Sequence, residues 1–234
     1  KITVPFCPES RLSGVAHTDF MNAVWYRRDL DIPADWAGKN VILHIDACDY
    51  ETTVYVNGKK VGTHRGGYTS FQFDITKYLA AEGNYVTICA KDDVRSDKQV
   101  AGKQSQRFGS YGCFYTRTTG IWQTVWLEAV EPAYVTSYKV FANISAPAVT
   151  LDVLTSNAAV GAELTVKAYY EGAFMGEASA TVASSSTTVT IDLAEKHLWE
   201  CGNGRLYDLK FELTKVGKTD AMDGYFGLRE VALT

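Results

Sequence analysis

Residues 53–58 read Thr53-Val54-Tyr55-Val56-Asn57-Gly58, and this stretch indicates the fold class. Its first four residues are β-branched or aromatic, which is typical of a strand. Asn57-Gly58 is the residue pair best able to adopt the positive φ angles of a two-residue type I′ turn. Lys59 to Gly62 then begins a return strand. The sequence therefore predicts a β-hairpin over Tyr50 to His64.

The same signals continue on both sides of this hairpin. Turn residues recur about every eight to twelve positions, the runs between them are rich in Val, Ile, Thr, Tyr and Trp, and helical periodicity is almost absent. Further strands are predicted at Val41–Asp46, Tyr85–Ala90 and Ile121–Ala129, and later at Tyr134–Ala142, Val149–Thr155, Glu163–Tyr170, Thr187–Leu193, Tyr207–Thr214 and Asp223–Leu233. This pattern predicts an all-β chain.

Alternation within the predicted strand Ile121–Ala129 assigns its side chains to two faces. Val125 and Leu127 fall on one face, whereas Trp122, Trp126 and Glu128 fall on the other. We expect Trp126 to pack between two sheets.

A change in composition divides the chain. After Glu131-Pro132 the residues Ala, Ser, Thr and Val become dominant. A proline cannot donate a hydrogen bond to a β-ladder and favours an exposed linker. The sequence therefore predicts one domain over residues 1–131 and a second, smaller sandwich over residues 132–234.

Charge and apolar content exclude two classes of partner. The chain has 23 Lys and Arg against 27 Asp and Glu, a formal net charge of −4, and its longest basic run is Arg27-Arg28. Nucleic acid is therefore not expected as a partner. The apolar runs are also far shorter than the ~20 residues of a membrane span, so no such span is expected.

The cysteines and histidines lack the spacing of a metal site. The five cysteines are odd in number and scattered, and the four histidines are unpaired. We expect no disulfide framework, no metal and no cofactor. The chain opens at Lys1 without an apolar leader, so the compartment stays open, with a periplasmic or extracellular location favoured if a signal peptide has been removed.

Residues 91–119 form a long connection with few strand signals, and loops of this length are commonly functional. Tyr111 and Tyr115, with Gln104 and Arg107 nearby, combine apolar rings with hydrogen-bonding groups, which is what a sugar ring requires. The alternative is a loop that packs on its own aromatic side chains.

Asp92-Asp93 is the adjacent acidic pair in this loop. Paired carboxylates perform glycoside hydrolysis, but neighbouring residues on an extended chain point apart. The pair is better interpreted as a solvated turn, or as one ligand and one cap, and no catalytic residue is assigned. The candidate substrate-binding residues are Asp93, Gln104, Arg107, Tyr111 and Tyr115.

Several motifs together resemble a known family. They are Val4-Pro5-Phe6, Trp25-Tyr26-Arg27-Arg28, Val54-Tyr55-Val56-Asn57-Gly58, Gly67-Tyr68-Thr69, Phe73-Asp74-Ile75-Thr76, Thr119 to Glu128, Leu206 to Leu209 and Asp223 to Arg229. The chain is similar over nearly its whole length to the N-terminal part of glycoside hydrolase family 2, which includes β-galactosidases, β-glucuronidases and β-mannosidases.

This resemblance implies a fold and a role. It implies a jelly-roll domain similar to galactose-binding modules, then an immunoglobulin-like β-sandwich, and in the family a (β/α)₈ barrel with both catalytic glutamates follows. The family's acid/base glutamate follows an asparagine, and this chain contains no Asn-Glu dipeptide. The resemblance therefore implies a non-catalytic N-terminal fragment, inactive alone, that supports the missing barrel and walls its substrate pocket. The parent reaction is retaining hydrolysis of terminal β-glycosides.

Two departures and two alternatives accompany this interpretation. The galactosidases and glucuronidases place an acidic residue six positions before the glycine of the Gly-Ile pair, where this chain has Phe114, and Trp199 lacks the prolines that follow it in the family. The alternatives are a stand-alone carbohydrate-binding module and a structural two-sandwich protein.

Overall fold

The computed structural model describes residues 1–231, and it is built almost entirely of β-strands. Two compact units are present, Lys1–Ala129 and a second unit that begins at Val130. The predicted all-β class, a jelly roll followed by an immunoglobulin-like sandwich, is confirmed. The predicted division between residues 131 and 132 stays a prediction.

The first unit is a jelly roll made of short strands. These are β1 (Ala23–Asp29), β2 (Asn40–Ile45), β3 (Cys48–Asp49), β4 (Glu51–Val56), β5 (Lys59–Arg65), β6 (Phe71–Asp74), β7 (Tyr85–Lys91), β8 (Gly120–Ile121) and β9 (Val125–Val130), with 3₁₀ turns at Arg11–Ser13, Ala34–Trp36 and Thr76–Tyr78. The sheet orders are β1-β7-β4-β5, β6-β2-β9 and β3-β8. Inward-facing side chains such as Leu43, Val54 and Ile88 form the core.

The predicted hairpin is present as β4 and β5. Asn57 and Gly58 have φ angles of 51° and 76°, and Val56 pairs with Lys59, so the turn has two residues as expected. The Asn57 amide also donates to the Asn84 side chain at 2.7 Å, and its oxygen accepts the backbone N–H of Tyr85 at 3.0 Å. Asn57 therefore joins the turn to the start of β7.

The prediction for Ile121–Ala129 was wrong in two respects. The segment is two strands, β8 and β9, because residues 122–124 make single backbone bonds to residues 46–47 in place of a regular ladder. Trp126 does not pack between sheets: it is 41% exposed and stacks on His44, with the ring centroids 3.9 Å apart. The inward positions are taken by Val125 and Leu127, as alternation predicts.

The second unit is an immunoglobulin-like sandwich. Its strands are β10 (Val135–Asn143), β11 (Ala148–Thr155), β12 (Glu163–Tyr170), β13 (Ala173–Thr181), β14 (Ser186–Asp192), β15 (Tyr207–Lys215) and β16 (Lys218–Phe226), with a 3₁₀ turn at Asn157–Ala159. The sheets have the orders β10-β11-β14 and β13-β12-β15-β16. Buried Leu151, Leu164, Ile191, Tyr207 and Phe211 lie in its core.

Two features of this unit depart from the predicted strands. β13 has no predicted counterpart because Ala173–Thr181 is rich in Ala, Ser and Gly, residues that carry little strand signal. The last strand is Lys218–Phe226 and not Asp223–Leu233, because Val216 and Gly217 turn the chain with φ angles of 49° and 73°. Residues 232 and 233 of that predicted strand lie outside the described residues.

Candidate functional site

A cavity of about 410 Å³ lies in the first unit, beside the long connection between β7 and β8. We call residues 92–119 the long loop. The side chains and backbone that line the cavity come from this loop and from three other segments of the jelly roll. The lining residues are Asp49, Tyr68, Gly102, Lys103, Gln104, Tyr115, Thr116, Thr118 and Trp122.

Aromatic rings form much of the cavity wall. Tyr68 is 68% exposed and Tyr115 is 61% exposed, so both rings are accessible. Trp122 meets Tyr68 edge-on, with centroids 5.8 Å apart and planes at 75°, and its indole N–H donates to the Gly67 carbonyl at 2.7 Å. The tryptophan is therefore held in place while the two tyrosines present apolar surface.

A buried carboxyl group contributes the polar part of the wall. The Gln104 amide donates to Asp49 Oδ2 at 2.8 Å, and Gln104 Oε1 accepts the backbone N–H of Thr118 at 2.8 Å. Burial raises the pKa of Asp49 to about 6, against a lowering effect of the Gln104 bond. The Gln104 side chain thus joins Asp49 of the jelly roll to Thr118 near the end of the long loop.

Asp92 and Asp93 have different environments. Asp93 is exposed and accepts the backbone N–H of Arg95 at 3.2 Å, as a turn cap does. Asp92 is only 4% exposed, and burial together with the nearby Asp49 raises its pKa to about 7. The solvated-turn interpretation is therefore wrong for Asp92: it follows β7 directly, and the long loop folds over it, with the Gln99 amide donating to its Oδ1 at 2.6 Å.

Arg117 organises the long loop from inside. It is 3% exposed, and its guanidinium donates to the carbonyl oxygens of Ser105, Arg107 and Phe108 in the loop and to that of Thr18. Sequence reasoning missed this residue, because nothing local distinguishes a buried arginine that binds carbonyl groups from a surface one.

The ends of the loop tip are joined by backbone bonds. Ser105 N–H donates to the Tyr115 carbonyl at 2.6 Å, and Tyr115 N–H donates to the Lys103 carbonyl at 2.8 Å. Gln104 and Tyr115 therefore stand side by side across a parallel bridge. This fixes the positions of two of the five predicted site residues relative to each other.

The structure brings together only part of the predicted site. Gln104 and Tyr115 line the cavity, whereas Asp93, Arg107 and Tyr111 do not. Arg107 lies over the Tyr111 ring at 4.1 Å, and Tyr111 stacks on Phe114 with centroids 5.0 Å apart. This second group lies in the loop tip, and the substrate-binding role of all five residues stays a prediction.

Several cavity residues were not predicted as site residues. Asp49 and Tyr68 lie well before the long loop in sequence, and Trp122 lies just after its end. Tyr68 and Trp122 belong to motifs used for the family resemblance. Lys103 also lines the cavity and forms no ion pair within residues 1–231. The motifs were the signal that could have found the two aromatic residues.

A larger cavity of about 640 Å³ lies elsewhere in the first unit, against residues 1–5. Its lining combines core aliphatic side chains such as Leu43, Val86 and Ile88 with charged residues of β1 and the segments beside it, and none of the five predicted site residues lines it. The smaller cavity, which joins aromatic rings to a buried carboxyl group and an amide, is therefore the candidate functional site.

Within residues 1–231, no group of three or more His, Cys, Asp or Glu side chains has the arrangement to hold a metal ion. All five cysteines are free. Over the same residues, no helix has the length and apolar character needed to cross a membrane.

Comparison with known families decides the relationship of the chain. Residues 14–129 match the model of the glycosyl hydrolases family 2 sugar binding domain, and residues 133–229 match the model of glycosyl hydrolases family 2. The chain belongs to glycosyl hydrolase family 2. The family 2 resemblance drawn from the sequence motifs is confirmed.

Curated relatives of this family 2 chain are longer proteins. A β-galactosidase of Thermoanaerobacter pseudethanolicus is 32% identical over 118 residues, which cover 50% of this chain and 15% of that protein. A putative β-glucuronidase of Formosa agariphila is 27% identical over 222 residues, covering 88% of this chain and 25% of that protein. The chain thus spans a quarter or less of the length of these two relatives.

Solved structures share the fold of this family 2 chain. The β-glucuronidase of Bifidobacterium dentium, in complex with coumarin-3-O-glucuronide, superposes with a TM-score of 0.79 at 21% identity and covers 100% of this chain and 43% of its own. Bacteroides uniformis β-glucuronidase 2, covalently bound to cyclophellitol-6-carboxylate aziridine, superposes with a TM-score of 0.72 at 24% identity. The match covers 90% of this chain and 27% of that protein's chain. Residues 1–231 form the two β domains and no (β/α)₈ barrel.

Proposed function

We propose that this chain is the non-catalytic N-terminal region of a retaining family 2 exo-glycosidase, and that the cavity beside the long loop forms part of the wall of its substrate pocket. The whole protein hydrolyses terminal β-glycosides with two glutamates of a (β/α)₈ barrel, which this region supports. The observation that carries the proposal is a cavity in the family's sugar binding domain that combines accessible aromatic rings with buried hydrogen-bonding groups.

The chemistry of the cavity suits a sugar. The exposed rings of Tyr68 and Tyr115 offer apolar faces for the C–H side of a pyranose, and Lys103, Thr116 and Thr118 supply polar groups beside them. Asp93, Arg107 and Tyr111 are proposed as further substrate contacts at the loop, outside this cavity.

The first experiment compares this chain with the longer protein read from the same coding sequence. We expect the purified chain of 234 residues to show no turnover of a panel of 4-nitrophenyl β-glycosides, and the longer protein to hydrolyse at least one of them with retention. Turnover by the shorter chain would contradict the proposal, because its catalytic groups would then lie among these residues.

A second experiment tests the cavity within the longer protein. Replacing Tyr115 with alanine removes an aromatic contact worth about 0.5–1.5 kcal/mol, which corresponds to a two- to tenfold rise in KM with little change in kcat. The matched control is Phe108→Ala, since Phe108 is 64% exposed in the same loop and does not line the cavity. Equal effects of the two substitutions on KM would contradict the proposal that the cavity contacts the substrate.

A stand-alone carbohydrate-binding role is the second candidate, because the cavity is formed entirely by residues of the first unit. It predicts that the purified chain binds free sugars on its own. Chemical-shift changes of the Trp122 indole N–H on titration with neutral and acidic monosaccharides would favour this candidate, and their absence would leave the accessory role as the better explanation.

A further inference from the structure

Two buried carboxyl groups hold the long loop: Asp49 binds it from the jelly roll, and Asp92, the first residue of the loop, binds Gln99 within it. Asp49 ends β3, Asp92 follows β7, and each is 4% exposed. One oxygen of each accepts an amide N–H from the loop: Gln104 to Asp49 Oδ2 at 2.8 Å, and Gln99 to Asp92 Oδ1 at 2.6 Å. The other oxygens, Asp49 Oδ1 and Asp92 Oδ2, are buried and have no hydrogen-bond partner among the described residues.

The groups around the two carboxyls do not compensate a negative charge. Glu9 is buried nearby and accepts the backbone N–H of Thr119 at 3.1 and 3.2 Å, so it adds an acid to the same region. Asp49 is influenced by Gln104 and Glu9, and Asp92 by Asp49, Gln99, Glu9 and Asp93. Both carboxyls in turn raise the pKa of the Cys48 thiol, after the larger effect of its burial. Neither carboxyl forms an ion pair with Lys or Arg within residues 1–231.

A buried carboxylate without an opposite charge is costly, and protonation removes the charge, which is the larger part of that cost. The unpartnered oxygen of each group can carry the proton while the other oxygen continues to accept the glutamine N–H. Gly67 packs against Asp49 so closely that a Cβ there would lie 2.5 Å from Oδ1, which leaves little room for a hydrated charge. The geometry therefore fits neutral acids better than carboxylates.

We propose that Asp49 and Asp92 are positioning residues that hold the long loop in place as neutral carboxylic acids, so that the loop is ordered in mildly acidic solution and loosens when both groups ionise. We call the two amide–carboxyl contacts the latches. The cavity residues Gln104 and Tyr115 lie on the loop that the latches hold. That this loop shapes a substrate pocket rests on the function proposed above.

The direction of the pH effect follows from the pKa values. In the closed loop the pKa values of Asp49 and Asp92 are raised from 3.8 to about 6 and about 7, mainly by burial. A raised pKa means that the closed loop binds protons more tightly than the open loop. The resulting stabilisation of the closed loop is complete below pH 4 and is lost as the pH rises to about 7. Between pH 5 and pH 8 loop opening should increase about tenfold through Asp49 and up to about a hundredfold through Asp92.

Hydrogen exchange of the purified chain tests the latches without any substrate, so the result does not depend on the proposed function. Amide protection factors of residues 92–119, corrected for the intrinsic pH dependence of exchange, are compared at pH 5 and pH 8. We expect wild-type protection to fall at least tenfold over this range, while amides of the second unit, such as those of β12, do not change.

Substitutions by asparagine separate ionisation from structure. Asp92→Asn and Asp49→Asn keep an oxygen for the glutamine amide and cannot ionise, so each should remove its share of the pH dependence. Asp93→Asn is the matched control, because Asp93 is exposed and adjacent and contributes only the smallest of the effects on Asp92, so this variant should retain most of the wild-type pH dependence. Asp92→Ala should lower protection at both pH values, because it also removes the oxygen that accepts the Gln99 amide.

Two results would overturn the proposal. One is a wild-type loop whose protection is the same at pH 5 and pH 8, which needs no variant to establish. The other is an Asp92→Asn protein that retains the full wild-type pH dependence. If Asp49→Asn fails to fold, Asp92→Asn alone decides the matter, since the larger effect is expected there.

Discussion

Replacing Arg117 with methionine should loosen the long loop without unfolding the jelly roll. Methionine keeps much of the apolar length of the side chain and removes the guanidinium, which donates to three loop carbonyls, two of them at 3.1 Å (Ser105) and 3.0 Å (Phe108). The bond to Thr18 is lost as well. The substitution therefore isolates the polar role of Arg117.

The free-energy cost of Arg117→Met depends on whether water can replace the guanidinium at each carbonyl oxygen. A hydrogen bond from a charged donor contributes roughly 1.5–3 kcal/mol, but Arg107 and Phe108 are exposed, so water can replace the donor there. Ser105 is fully buried and its carbonyl cannot be rehydrated without loop movement. Relief of the buried charge offsets part of the loss. We expect a net cost of about 3 kcal/mol, equivalent to a roughly hundredfold rise in loop opening.

Hydrogen exchange at the backbone N–H groups of Ser105 and Tyr111 measures this opening, because both donate within the loop. The control is Arg107→Met, since Arg107 is exposed and contacts the Tyr111 ring only by a cation–π interaction at 4.1 Å; a change below about threefold is expected. An Arg117→Met protein with less than fivefold faster exchange would refute the view that this guanidinium organises the loop.

Two further substitutions test the cores. Tyr207→Phe removes a buried hydroxyl that bonds two backbone groups at 2.7 and 2.8 Å, so calorimetry should show a loss of about 1–3 kcal/mol in the second unit, with Tyr225→Phe, an exposed tyrosine, unchanged. Gly62→Ala places a Cβ in steric overlap with the Phe73 ring and should lower the thermal midpoint of the first unit at a cost of about 1–3 kcal/mol. Gly109→Ala, whose Cβ has no atom within 4 Å, should have little effect.

Local turn chemistry explains which strands were predictable. The turn at Asn57-Gly58 was predictable, because both residues tolerate positive φ and the pair is common in type I′ turns. Val216 adopts a φ of 49° before Gly217, although a β-branched residue rarely does so. The preceding strand is nevertheless predicted to end at Thr214, close to the observed Lys215. The last strand is predicted to start at Asp223, five residues after the observed Lys218, because residues 218–222 carry little strand signal.

The residues of the candidate site were predictable only where they lie close together in the sequence. Gln104 and Tyr115 could be found from the composition of the long loop, which joins amides to aromatic rings. Asp49 is 55 positions away from the Gln104 amide that binds it, and its burial depends on the packing of separate segments. Asp92 shows the same limit: its neighbour Asp93 has the same side chain and is exposed, and only the folded loop distinguishes them.

The backbone bridge between Gln104 and Tyr115 allows the loop segment between these two residues to vary. Because backbone bonds close the chain at residues 103–105 and 115, residues 106–114 form an excursion whose length and sequence can change while its base stays in place. Doubling the length of such a flexible segment costs only about 0.6 kcal/mol in closure entropy. Segments of other lengths and sequences can therefore be transplanted onto this base, with Gln104 and Tyr115 as the fixed graft point.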